Sequence, residues 1–181
     1  MSGLIGLWDD LGVAPWYLAV LAGVGIERLA ELVVAKRNAA WSLAQGGVER
    51  GQGHYPIMVV LHTGLLVGCL VEAHWRTPPS WAVAALAIAV ACQALRWWVI
   101  TTLGPRWNTR VIIVPGLPRV TGGPFRWFPH PNYVAVVTEG VVLPGMYGCW
   151  VTATTFTVLN AMLLTVRIRA ENAALAEMEA G

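Results

Sequence analysis

Long apolar runs alternate with short polar islands along this chain. Runs at about residues 14–35, 56–74, 80–101, 131–144 and 149–168 approach the roughly 20 residues that a helix needs to cross about 30 Å of hydrocarbon. None shows the period-2 alternation of an outer-membrane barrel strand. The pattern predicts an all-α integral membrane protein with five transmembrane helices. Pro131 to Arg167 leaves only 37 residues for two crossings and a turn, so the last two helices are expected to form a short hairpin turning at Pro144-Gly145-Met146-Tyr147-Gly148.

The polar islands give this bundle an orientation. Lys36, Arg37 and Arg50 follow the first run, Arg106, Arg110, Arg119 and Arg126 follow the third, and Arg167 and Arg169 follow the fifth. With five spans all three groups fall on one face, which is expected to be cytoplasmic, while Arg76 and the acidic Asp9 and Asp10 lie opposite. The expected site is a bacterial inner membrane, with the N-terminus outside and the C-terminus in the cytoplasm. Trp8, Trp16, Trp41, Trp75, Trp81, Trp107 and Trp150 fall near predicted span ends and read as interface anchors. The linker from 102 to 130, with Gly104, Pro105, Pro115, Gly116 and Pro118, reads as an ordered, turn-rich cytoplasmic cap. Residues 1–101 then form a three-helix membrane region, and 102–181 a cap, hairpin and C-terminal helix, together one integrated domain.

Composition agrees with a bilayer as solvent: of 181 residues 56% are hydrophobic and 12% charged, with a mean hydropathy of +0.58. Nothing at the N-terminus resembles a cleavable signal, because a basic n-region is missing, so the first run is expected to be retained. Cys69, Cys92 and Cys149 sit in apolar surroundings without CxxC or CxxH spacing, which makes them packing residues and leaves no metal site. The expected partners are the bilayer and a lipid-like small molecule, with no nucleic acid; the pattern leaves the oligomeric state open.

The candidate chemistry lies in the island Gly122 to Tyr133 and in Arg167-Ile168-Arg169-Ala170-Glu171. Pro129 and Pro131 bracket His130 and restrict its backbone, Asn132 is placed to cap the next helix, and Tyr133 follows His130 by one turn. Glu139 falls inside an apolar run, where a carboxylate normally faces a cavity or a partner. It lies seven residues, about 10 Å, below Asn132 on one helical stripe. Asn160 stands in the same relation to Arg167, so Glu139 and Asn160 are expected as neighbours across the hairpin; the other reading is that Glu139 only bonds another span. Glu27, Arg28, Glu31, His62, Glu72 and Arg96 interrupt the first three runs. They read mainly as interhelical glue, with the further possibility that some line a substrate cavity.

These residues resemble the isoprenylcysteine carboxyl methyltransferase family. Its C-terminal half carries Gly-Pro-aromatic-Arg, then Arg-His-Pro-x-Tyr, an acid in the next helix, and Arg-Ile-x-x-Glu-Glu. The counterparts here are Gly123-Pro124-Phe125-Arg126, His130-Pro131-Asn132-Tyr133, Glu139, and Arg167-Ile168-Arg169-Ala170-Glu171, over roughly residues 100 to 175. The chain departs from the pattern at Pro129, where the family has arginine, and at Asn172, where it has a second acid.

The resemblance implies an integral-membrane methyltransferase in which S-adenosylmethionine enters from the cytosol and a lipid acceptor comes sideways from the bilayer. It implies a cofactor cradle of Gly123, Pro124, Phe125, Trp127 and Phe128, continued by His130, Pro131, Asn132, Tyr133 and Glu171, in which Trp127, Phe128 and Tyr133 offer aromatic faces. Glu139 and Arg167 would be catalytic, and Arg126, Asn160 and Arg169 would face the substrate. No GxGxxG loop of the soluble nucleotide-binding kind is present. Methyl transfer is an in-line displacement that rewards alignment and needs no metal. Glu27-Arg28-Leu29-Ala30-Glu31-Leu32 and Arg37-Asn38 are similar to a bacterial branch that methylates hydroxyls of polyketide-derived phenolic or pyrone lipids. Carboxyl methylation of an isoprenylcysteine-type substrate, an NADPH-dependent reductase like the membrane sterol reductases, and a non-catalytic scaffold are the competing readings.

Overall fold

A computed structural model describes residues 12–50 and 53–180; Trp8, Asp9 and Asp10 lie outside the described residues. Among the described residues five α-helices follow one another: α1 (Pro15–Ala44), α2 (His54–Ala73), α3 (Ala82–Leu103), α4 (Pro131–Gly145) and α5 (Trp150–Ala180). Two three-residue strands, β1 (Val48–Arg50) and β2 (Val111–Ile113), pair antiparallel with Val48 opposite Ile113 and Arg50 opposite Val111. The all-α expectation is therefore corrected by a small ribbon that joins the loop after α1 to the cap.

Among the described residues three helices are long and apolar enough to cross a membrane, over Tyr55–Ala73, Ala82–Arg106 and Trp150–Ala176. The other two fall short of the five-span expectation for different physical reasons. α1 is about 45 Å long but carries Glu27, Arg28, Glu31, Lys36 and Arg37. α4 has 15 residues, about 22 Å, too short for roughly 30 Å of hydrocarbon. Helix α1 also runs nine residues beyond the expected boundary at 35, and α5 twelve beyond 168. Charged residues end the apolar solvent but are good helix formers, so the helix continues into the aqueous layer.

The loops after α1 and α3 meet through the β1–β2 ribbon, and α5 packs on both strands, so the three basic groups share one end of the bundle. Arg110 crosses this end, paired with Glu49 at 3.3 Å and lying 5.0 Å from the centre of the Tyr55 ring.

At the opposite end, Tyr17 donates a hydrogen bond to the Leu143 carbonyl at 3.0 Å and stacks on Tyr147. The Tyr147 hydroxyl accepts the Ala14 amide at 2.8 Å. The carboxylate of Glu72 on α2 accepts the amides of Val151 and Thr152, at 3.2 and 2.8 Å, and the Thr152 hydroxyl at 2.9 Å. It thus satisfies the free amides at the start of α5 and sits at the positive end of that helix. Cys69, Cys92 and Cys149 are buried and unbridged, in keeping with a packing role.

The hairpin of α4 and α5 is tight because Gly140 lies against Phe156. A Cβ added at Gly140 would stand 2.4 Å from a ring carbon of Phe156, closer than any van der Waals contact. Gly140→Ala is expected to cost about 1–3 kcal/mol through overpacking, read as a lower unfolding midpoint in detergent. Adding Phe156→Leu to the same chain should recover part of the loss.

Candidate functional site

Two cavities meet at the end of the bundle that carries the basic groups. One, of about 190 Å³, lies under the cap between Val111, Ile113, Leu117, His130 and Glu171. The other, of about 390 Å³, lies deeper among α1, α2 and α5, between Leu29, Met58, His62, Asn160 and Leu163. Leu29 lines this inter-helix cavity and is 64% exposed, so the cavity is open at this residue of α1. Trp107, Asn108, Asn132, Tyr133 and Arg167 line both cavities and form the wall between them.

Local folding places each part of this wall. Pro131 opens α4 and is compatible with a first helical turn, so Asn132 and Tyr133 project from that turn. Tyr133 donates a 2.7 Å hydrogen bond to Glu171 on α5, and the His130 ring stacks on Tyr133 with centroids 5.4 Å apart. The Glu171 carboxylate, 3.6 Å from His130 Nδ1, holds the His130 pKa above its ordinary value against the opposing effect of burial. On its other side, His130 Nε2 lies 3.2 Å from Asn172 Oδ1. The asparagine standing where the family pattern has an acid thus holds the histidine. Arg167, 7% exposed, donates to the Thr109 carbonyl at 2.9 Å and touches Met58 Sδ at 3.0 Å. Asn38 on α1 donates to the carbonyls of Gly104 and Trp107, at 3.1 and 2.8 Å, and so fixes the turn that carries Trp107 and Asn108.

Several polar atoms of this wall are buried without a hydrogen-bond partner: Asn108 Oδ1, Asn132 Oδ1 and Arg167 Nε. Asn160 Oδ1, farther down the inter-helix cavity, is in the same condition. An unpaired buried polar atom costs about 1–3 kcal/mol, a cost that a polar ligand or a water seated here would relieve. The acceptors of this set suit an ammonium and its guanidinium suits a carboxylate, the two charged ends of an amino-acid moiety.

Deeper in the bundle, α1, α3 and α4 meet through charges. Glu31 accepts from Arg28 at 3.0 Å and from Arg96 Nε at 2.8 Å. Glu139 lies 3.5 Å from Arg28 and 3.7 Å from Arg96. Gln93 accepts from Arg28 and donates to Glu27, which also accepts the Trp97 indole N–H at 2.7 Å. Arg28, Glu31 and Arg96 line the inter-helix cavity, so the residues read as interhelical glue also form part of a cavity wall.

The expected cofactor residues Phe125, His130, Pro131, Asn132, Tyr133 and Glu171 all line the cap cavity. The structure places the others differently. Gly123, with φ +56°, abuts Thr102, whose Oγ1 would lie 2.6 Å from an added Cβ, and Pro124 is fully buried; together they seat the Gly123–Arg126 turn on α3. Trp127 and Phe128 line neither cavity and are 65% and 43% exposed, with Trp127 edge-on to Trp98. They occupy the outer surface, where an amphipathic ring needs no ligand. Arg126 and Arg169 are exposed and lie outside both cavities.

Glu139 finds its partners on α1 and α3, not in Asn160, and does not line the inter-helix cavity, whereas Asn160 does. Trp107, expected as an interface anchor, is 3% exposed in the shared wall. Asn108 and Thr109 carry no motif, and only the meeting of distant segments reveals them, whereas His62, one of the residues that interrupt the apolar runs, lines the inter-helix cavity.

Comparison with known proteins gives the same direction. The model of the isoprenylcysteine carboxyl methyltransferase (ICMT) family matches residues 85–177. The chain is 38% identical over 154 residues to YpbQ, an uncharacterized protein of Bacillus subtilis (strain 168), an overlap covering 84% of this chain and 92% of that protein. No solved structure matches. The matched segment holds the cap, the α4–α5 hairpin and every residue of the wall between the two cavities, and the chain belongs to the isoprenylcysteine carboxyl methyltransferase family.

Proposed function

We propose that this protein transfers a methyl group from S-adenosylmethionine to a hydroxyl of a polyketide-derived phenolic or pyrone lipid held in the membrane. The observation that carries this reading is the wall shared by a cavity of mixed polar and apolar lining at the basic end and a larger, mostly apolar one. In-line displacement needs two ligands held end to end, and such a wall sets them there.

When bound, S-adenosylmethionine supplies an electrophilic methyl on a positively charged sulfur. Arg167 binds its carboxylate and Asn108 and Asn132 its ammonium, matching the unpaired atoms of the wall. Glu171 accepts from ribose hydroxyls while it holds Tyr133 and His130 in place. Arg106, Arg110 and Arg119 also line the cap cavity and would suit the 2′-phosphate of NADPH. Arg106 and Arg110 are already committed to the Pro118 carbonyl and to Glu49, which favours the methyl donor. Asn160 orients the acceptor oxygen, and Glu139 keeps Arg28 and Arg96 in the cavity wall without touching the acceptor. In this reading α1 and α4 complete a five-helix membrane bundle in a bacterial inner membrane, with the basic end and the C-terminus in the cytoplasm.

S-Adenosylhomocysteine is expected to raise the unfolding temperature of the purified protein, and NADPH to leave it unchanged; the reverse pattern would replace this reading by a reductase. Membranes given methyl-labelled S-adenosylmethionine and alkylresorcinol or alkylpyrone lipids should yield a methyl ether by mass spectrometry. A methyl ester formed only on an isoprenylcysteine-type acceptor would move the acceptor to a carboxylate.

A further inference from the structure

We propose that His62 is the general base of the reaction, so that the acceptor is a weakly acidic, phenol-type hydroxyl and not a group that arrives ionised. The proposal rests on the methyl-transfer reading above and specifies its acceptor. His62 sits in the middle of α2, a helix otherwise apolar around it, and lines the inter-helix cavity with Asn160, Tyr133 and Arg167. Its Nδ1 lies 2.8 Å from the Met58 carbonyl oxygen. A carbonyl only accepts, so Nδ1 carries the proton and Nε2 keeps a free electron pair. Among the described residues no hydrogen bond occupies Nε2. The Phe156 ring stands edge-on to the imidazole, with centroids 5.4 Å apart and planes at 85°, so backbone and ring together hold its orientation.

The other bases nearby are engaged or elsewhere. Glu31 lines the same cavity but is held by Arg28 and Arg96. Glu139 is outside the lining, and Glu171 belongs to the cap cavity. Arg28 and Arg167, both in the wall around His62, supply positive potential to an oxygen that gains negative charge as its proton leaves.

A phenolic hydroxyl ionises near pH 10, so at neutral pH it is a poor nucleophile unless its proton is removed during attack. In the proposed step the acceptor O–H bond breaks and its proton passes to His62 Nε2. The oxygen's electron pair forms the new O–CH₃ bond, and the pair of the S–CH₃ bond leaves on the sulfur of the methyl donor, which departs as the neutral thioether. His62 then releases the proton to water, which restores the base.

The test uses full-length protein in nanodiscs, methyl-labelled S-adenosylmethionine, and two acceptors with the same alkyl tail: a 5-alkylresorcinol, and a 4-hydroxy-2-pyrone whose enol is ionised at the assay pH. His62→Gln is expected to slow methylation of the resorcinol by about 10²-fold, with a loss that shrinks to a few-fold on the pyrone. His62→Ala should regain resorcinol activity when free imidazole is added. Stabilisation of each variant by S-adenosylhomocysteine, equal to that of wild type, shows that the site has folded. An equal loss on both acceptors, no loss on the resorcinol, or wild-type turnover of the pyrone alone would overturn the role of His62 while leaving methyl transfer standing. Wild-type turnover of neither acceptor would overturn the acceptor class and His62 with it.

Discussion

Protein carrying Arg167→Ala is expected to lose methyl transfer by about 10²–10³-fold, the effect of removing one preorganised charged donor from a water-poor site. Arg167 lines both cavities, is 7% exposed and leaves Nε without a partner, so a ligand in either cavity meets it. The loss should fall on both the affinity for S-adenosylmethionine and the turnover rate, measured by the dependence of initial rate on cofactor concentration in nanodiscs. Arg167→Lys is expected to recover little. Lysine keeps the charge but lacks the planar fork that binds Thr109 and Met58 and that, in the proposed function, also holds a carboxylate. Rates within about threefold of wild type for Arg167→Ala would remove Arg167 from the reaction altogether.

The second large effect concerns stability. Arg96, 5% exposed, is held between Glu31 and Glu139. Arg96→Met would leave two carboxylates facing each other in a low-dielectric interior, with Arg28 alone between them. Removing one partner of a buried ion network costs about 3–5 kcal/mol, so this variant should unfold at markedly lower denaturant in detergent. Replacing Glu31 by leucine in the same chain should recover a large share, because the uncompensated charge disappears together with its partner. The two substitutions are thus expected to be strongly non-additive in a double-mutant cycle. Additive losses would mean that the cluster is solvated and contributes little to holding α1 on α3.

How far the sequence foretells this arrangement depends on how local each interaction is. The α4–α5 hairpin and the meeting of His130, Tyr133 and Glu171 are legible, because an i, i+3 spacing at a helix start and a charged helix end follow from periodicity and motif order. The charged positions of α1 and α3 are legible as mutual partners for the same reason: a carboxylate in an apolar run must find a cation. Trp107 and Asn108 are not, since they reach the wall only when β2 pairs with β1 from a loop some sixty residues earlier and Asn38 ties down the turn between. Trp127 and Phe128, expected in the cradle, line neither cavity, because an aromatic ring beside polar residues looks alike in sequence whether it faces a pocket or the outside. His62 is legible in part: an imidazole in a greasy helix reads as interhelical glue or cavity lining, and only its neighbours decide between the two.

The carboxylate of Glu72 on the first amides of α5 keys the starting position of that helix to α2. An α-helix is stiff along its axis, so the datum set at Thr152 is carried about 22 Å to Arg167. There it decides which rung of α5 stands opposite Met58, and one turn beyond Thr152 it sets Phe156 against His62. A slip of one residue would shift every later side chain by about 1.5 Å and turn it by roughly 100°, swinging the guanidinium out of alignment. Register at one surface of the bundle is thereby enforced from the other, and a change made beside Glu72 will be felt as faulty aim at the reacting end.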